Sequence, residues 1–170
     1  MDGTLAAIFA IASLADLAVT HCPMSCLDRR SVPAQYSLRL GDVHLDESRI
    51  ATELTFGVAA GVTVGPFHPV AAASVTEDGT GWIGLGARLT SADILPGPVF
   101  VESTFMPGAA FKGGGPDLGG NLQFRSSLGF GLAFANGSSV SIAYDHRSNA
   151  DIRAVNPGLE VLSIGYAIPF

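Results

Sequence analysis

The sequence predicts an all-β fold, an eight-stranded antiparallel β-barrel of the kind that spans the bacterial outer membrane, and three observations carry that reading. Charged residues make up only 14% of the 170 positions, beside 48% hydrophobic residues and 21 glycines, whereas about a quarter of a soluble domain is charged. No interior run reads as a membrane helix. The longest uncharged stretch, 54–75, holds three glycines and two prolines and is broken at Gly65-Pro66, which makes it two strands. A closed sheet is then the remaining way to satisfy every backbone group inside a bilayer. Alternation is the third observation, recurring over 34–42, 49–59, 66–76, 80–90, 98–107, 121–135, 138–148 and 159–170. Eight is the smallest even strand number for a single-chain barrel of this class.

Residues 1–30 stand apart from the pattern, and 31–170 are expected to form the barrel. Leu5 to Leu14 has the length of a signal peptide's apolar region, yet Asp2 stands where a lysine or arginine is expected and Asp16 follows the run. The segment reads as an export signal, with a mis-assigned start or an ordered N-terminal helix as alternatives. Cys22 and Cys26, the only cysteines, read as a local disulfide or as two idle thiols; a metal site would need ligands from elsewhere in the chain.

The segment 121–135 assigns the two faces most clearly. Leu122, Phe124, Leu128, Phe130, Leu132 and Phe134 alternate with Gln123, Arg125, Ser127, Gly129 and Gly131, so an apolar face turns to lipid and a polar or tiny one to the lumen. Asp145 and Arg147 share the inward parity of Arg125, which predicts an ion-pair network in place of an apolar core. Asn136-Gly137 predicts a two-residue type I′ hairpin, and 107–120 and 149–158 predict long loops. An even strand count with a periplasmic C-terminus puts the tight turn in the periplasm and both loops outside. Phe170, with apolar residues at every second position before it, resembles the C-terminal signal of outer-membrane barrels. Trp82 and Phe67 are candidates for aromatic girdles. His44 falls in the first outer loop, His68 near a strand start and His21 in the N-terminal segment.

Chemically capable residues gather in one place, from Tyr144 to Glu160. Val140, Ile142 and Tyr144 share a face, and the same parity places His146 and Ser148 on it. After the turn signal Asn156-Pro157-Gly158, Glu160 has the parity of Leu162, Ile164, Tyr166 and Ile168. An antiparallel hairpin that keeps these apolar faces together sets Glu160 beside His146, directly opposed or diagonal. A hydroxyl, an imidazole and a carboxylate on one surface are the residue types that cleave an ester: a nucleophile, its base and the acid that orients the base. Asn149 is a candidate oxyanion donor, through its side chain or through local backbone N–H groups. Tyr144 is either an interfacial aromatic or a wall of an acyl groove, and Arg153 a solvated loop charge.

His146-Arg147-Ser148-Asn149-Ala150, followed by Asn156, Gly158, Glu160 and the ending Ile168-Pro169-Phe170, resembles the lipid A 3-O-deacylase (PagL-type) family. The resemblance is specific over 144–170 and upstream is a shared strand pattern. It implies an outer-membrane esterase that removes the 3-O-linked hydroxyacyl chain from lipid A of lipopolysaccharide, with His146, Ser148 and Glu160 as a catalytic triad at the rim facing the outer leaflet. It implies neither cofactor nor metal. One position departs from the family pattern, Asp151, where glycine is expected and where a backbone N–H would bear on the oxyanion.

A net charge of −6, with nine lysines and arginines scattered along the chain, excludes nucleic acid as a partner. Two other readings stay open at this level. One is a non-catalytic outer-membrane barrel for adhesion or structure; the other is a soluble lipocalin-like carrier, which would turn its apolar face inward.

Overall fold

Side chains of a strand alternate between faces, and in this chain the alternation closes on itself. The computed structural model describes residues 3–22 and 25–170. Eight antiparallel strands form a closed barrel: β1 (Gln35–Leu45), β2 (Ser48–Ala59), β3 (His68–Thr76), β4 (Gly81–Thr90), β5 (Val99–Phe111), β6 (Leu122–Ala133), β7 (Ser139–Ser148) and β8 (Leu159–Pro169). Each strand pairs with the next, and β8 returns to β1 in a register running from Glu160 opposite His44 to Pro169 opposite Gln35. Leu38, Leu40, Phe56, Leu85, Phe130, Ile142 and Ile164 lie exposed on the outer wall, while Glu53, Gln123, Arg125 and Arg147 are buried inside. That polarity is the reverse of a soluble carrier's and overturns the lipocalin alternative.

Three local expectations are corrected. β1 continues to Leu45 and a two-residue turn, Asp46-Glu47 with φ of 47° and 66°, leads into β2, so His44 belongs to a strand rather than a loop; pairing with β8 carries β1 past the point where alternation fades. β5 runs through Pro107 to Phe111, and the outer loop starts only there. The proline is tolerated because the ladder to β4 lapses between Gly84 opposite Gly108 and Ala87 opposite Phe105, where the missing N–H costs no bond. At Asn136-Gly137 only the glycine has positive φ (83°). Gly137 N–H donates to the Phe134 carbonyl and Phe134 N–H to that of Ser138, a three-residue loop whose left-handed position Gly137 takes. The Asn136 side chain accepts from Ser138 instead.

The lumen carries the expected ion-pair network and an acid not foreseen. Glu53 of β2 meets Arg125 at 2.9 Å and also Arg147, while Arg125 Nε donates to Asp145 at 2.9 Å. Ser74 and Thr55 hydroxyls donate to the same Glu53 carboxylate. Trp82, expected in a girdle, is 1% exposed inside the barrel, with both guanidinium carbons 5.5 Å from its ring, a cation–π distance. Its even position on β4 points it inward, and glycines hollow out its place: a Cβ on Gly84 would lie 2.3 Å from the indole. A second network, Arg39 and Arg88 on Glu102, lies toward the periplasmic end beside a cavity of about 260 Å³.

The N-terminal helix lies outside the barrel. This helix, α1 (Thr4–Asp16), runs on through a π-helical turn, Leu17–His21. It lies against β5 and β6, with the Phe9 ring 6.0 Å from Phe105 and 6.3 Å from Phe67. Cys22 and Cys26 form a disulfide.

Replacing Glu53 with alanine removes the acid shared by two buried guanidiniums, leaves Arg147 without its ion pair, and is expected to destabilise the barrel by about 3–5 kcal/mol. Thermal unfolding in detergent, followed by circular dichroism, reads this directly, and an unchanged midpoint would contradict the network's role.

Candidate active site

The cross-strand register gathers the polar residues of the outer wall into one row. Glu160 on β8 stands directly opposite His146 on β7, the closer of the two arrangements that parity allowed. His146 is opposed on its other side by Ser126 of β6, and Glu160 on its other side by His44 of β1. Directly opposed residues hold their Cβ atoms about 4.5–5.5 Å apart. Ser126, His146, Glu160 and His44 thus cross four adjacent strands on the face that is apolar below them. Ser148 ends β7 on the same face, opposite Phe124. Tyr144, opposite Leu162, stands diagonal to Glu160 and within reach of its carboxylate.

His146 is only 7% exposed although it faces outward, because the loop between β7 and β8 folds over it. Gly158 lies against the imidazole, and a Cβ there would come within 2.9 Å of His146 Cε1. The glycine has φ of 74°, a conformation that side chains disfavour.

Asn149 does something other than point at Ser148. Its side-chain amide donates to the carbonyls of Leu118 (2.9 Å) and Val155 (2.7 Å), and its backbone N–H donates to Asn156 Oδ1 (2.9 Å). Its three donors are thus engaged within the 149–158 loop and across to the loop that carries Leu118. Leu118 closes the lumen beneath them, packed with Val43, Ala51, Leu159 and Val161. Ala150 and Asp151 follow with φ of 53° and 59°. Asp151, standing where the family pattern has glycine, keeps the left-handed backbone that glycine would favour, and Asn156 Nδ2 donates to its carboxylate at 2.8 Å; aspartate is among the side chains that tolerate this region.

Sequence reading missed His44, Ser126 and Gly158 as neighbours of the site. His44 has the outward parity of Leu38 and Leu40, a signal that becomes readable once β1 is extended to Leu45. His68 points into the lumen, 2.5 Å from Asp93, and Arg153 is an exposed loop charge.

Residues 56–169, more than half of the chain, match the family described as lipid A 3-O-deacylase (PagL). Among curated relatives, the lipid A deacylase PagL of Pseudomonas aeruginosa is 45% identical over 64 residues, covering 36% of this chain and 37% of the relative. That of Bordetella bronchiseptica is 32% identical over 53 residues, covering 31% and 30%. The aligned segments thus span about a third of the relatives' length. A crystal structure of the outer membrane enzyme PagL superposes with a TM-score of 0.64 at 22% identity, over 80% of this chain and 99% of that one. A de novo designed transmembrane β-barrel superposes with a TM-score of 0.60 at 10% identity, over 83% and 98%. The barrel is thus one that designed and natural membrane proteins share, while the sequence match selects among them: the chain belongs to the lipid A 3-O-deacylase (PagL) family.

Proposed function

We propose that this chain is an outer-membrane serine esterase that hydrolyses the 3-O-linked hydroxyacyl ester of lipid A. Ser148 is the nucleophile, His146 the base and Glu160 the acid that orients it. The observation that carries the reading is the direct opposition of Glu160 and His146 on the outward face, at the strand end where Ser148 emerges. Apolar residues line that wall, so an acyl chain of the outer leaflet lies alongside it with its ester near the rim.

In the first half-reaction Ser148 Oγ attacks the ester carbonyl and His146 takes its proton, while Glu160 stabilises the imidazolium. The tetrahedral intermediate collapses, the sugar oxygen leaves with the proton from His146, and an acyl-serine remains. Water, deprotonated by His146, then attacks the acyl-serine; the fatty acid departs and Ser148 recovers its proton. Because the donors of Asn149 are committed to the loops, the backbone N–H groups of the left-handed turn Ala150-Asp151 are the donors assigned to the oxyanion. Of the two donors expected from sequence, the side-chain amide and local backbone N–H groups, this reading takes the second.

Mass spectrometry of lipid A from cells with and without this protein tests the substrate: loss of one hydroxyacyl mass is expected, and an unchanged lipid A would refute the assignment. Ser148→Ala should lower the rate by about a thousandfold or more, as loss of a triad nucleophile does, while far-ultraviolet circular dichroism stays that of the barrel. A fluorophosphonate should label Ser148 in the parent protein and not in this variant. Glu160→Ala should be slower than the parent yet faster than Ser148→Ala, since losing an orienting acid spares part of the rate; full activity would remove Glu160 from the mechanism. Gly158→Ala should push the imidazole out of line and cost on the order of a hundredfold in turnover, with the thermal midpoint lowered by only a few degrees because alanine strains the left-handed backbone. Parent-like turnover would mean that the His146 ring does not need this space.

A further inference from the structure

Glu160 has a third neighbour that no step above uses. Tyr144 lies two residues before His146 on the outward face of β7 and opposes Leu162, which makes it diagonal to Glu160. Its ring is half-buried, and the diagonal position puts its hydroxyl within reach of the Glu160 carboxylate. A tyrosine serving only as an interfacial anchor would turn that hydroxyl to water and headgroups. Here it faces an acid that opposes the imidazole directly.

A glutamate carboxylate sits at the end of three torsions and has two oxygens. To hold the imidazole in one tautomer and one orientation, its own rotamer must be held, and a donor on the second oxygen does this. We propose that Tyr144 is a positioning residue for the reaction: its hydroxyl donates to one Glu160 oxygen and so aims the other at the N–H of His146. Both partners lie on the same two strands as the imidazole, so the grip moves with the site as one unit. The inference rests on the Ser148–His146–Glu160 reading above.

Tyr144→Phe tests it, because it removes the hydroxyl and keeps the ring. With lipid A as substrate, kcat should fall roughly tenfold, the worth of one hydrogen bond to a charged group, and KM should stay within about twofold. Labelling of Ser148 by a fluorophosphonate should slow by a similar factor, a readout independent of how the lipid is bound. On a Glu160→Ala background the same substitution should change neither rate, since the hydroxyl acts only through that carboxylate. A raised KM with kcat unchanged would make Tyr144 a wall of the acyl groove, and an equal loss on the Glu160→Ala background would make its role structural; either overturns the proposal. If Glu160→Ala is impaired while Tyr144→Phe matches the parent, the positioning role alone fails. If Glu160→Ala is itself fully active, the carboxylate reading fails and takes this inference with it.

Discussion

No strand can leave its backbone unpaired in lipid, and the return of β8 to β1 is the condition on which the rest of this structure depends. Closure removes both edges at once and locks one register around the whole ring. It also locks one parity, because side chains alternate strictly along each strand. Every chemical feature of the outer wall follows from that lock. His44 and Glu160 belong to the closing pair, and Glu160 with His146 and His146 with Ser126 belong to the next two. A slip of one residue at the seam would send Glu160 into the lumen and bring Val161 to the rim.

The inside of the barrel and the site on its outside are two faces of the same strand. Along β7, Asp145 and Arg147 point inward between Tyr144, His146 and Ser148. The inward pair is tied to Arg125 and Glu53, so the strand that carries the imidazole is anchored by buried charge pairs rather than by apolar packing. Such pairs add little net stability compared with an apolar core, but breaking one is costly. His146 and Ser148 therefore sit on backbone that resists small displacements. Trp82 completes the anchor, its ring within cation–π distance of both guanidiniums in space that Gly84 and Gly108 leave open.

Above the rim, Asn149 links the two halves of the outer surface. Its bonds to Leu118 and Val155 join the β5–β6 loop to the β7–β8 loop. The second loop lays Gly158 over the imidazole and holds Ala150 and Asp151 in left-handed conformations. The residue that follows Ser148 thus acts on the site through the shape of the loops. Its spacing resembles that of a catalytic donor, and its burial at 1% exposure is that of a structural clamp.

The sequence by itself determined the barrel class and the faces of its strands, because a period of two is a property of extended backbone and survives any context. It therefore set Tyr144, His146, Ser148 and Glu160 together on the outer wall, and Arg125, Asp145 and Arg147 within. Tertiary structure decided whatever depends on partners distant in the chain. Glu53 as the acid between two arginines, Trp82 turned to the lumen and His44 beside Glu160 all follow from register and closure, which no local pattern encodes. Pairing also carried β1 past its fading alternation and β5 through Pro107, since ladder hydrogen bonds outweigh local turn signals. The donors of Asn149 were settled only where two loops meet, because a side-chain amide bonds whichever carbonyls the fold brings within reach.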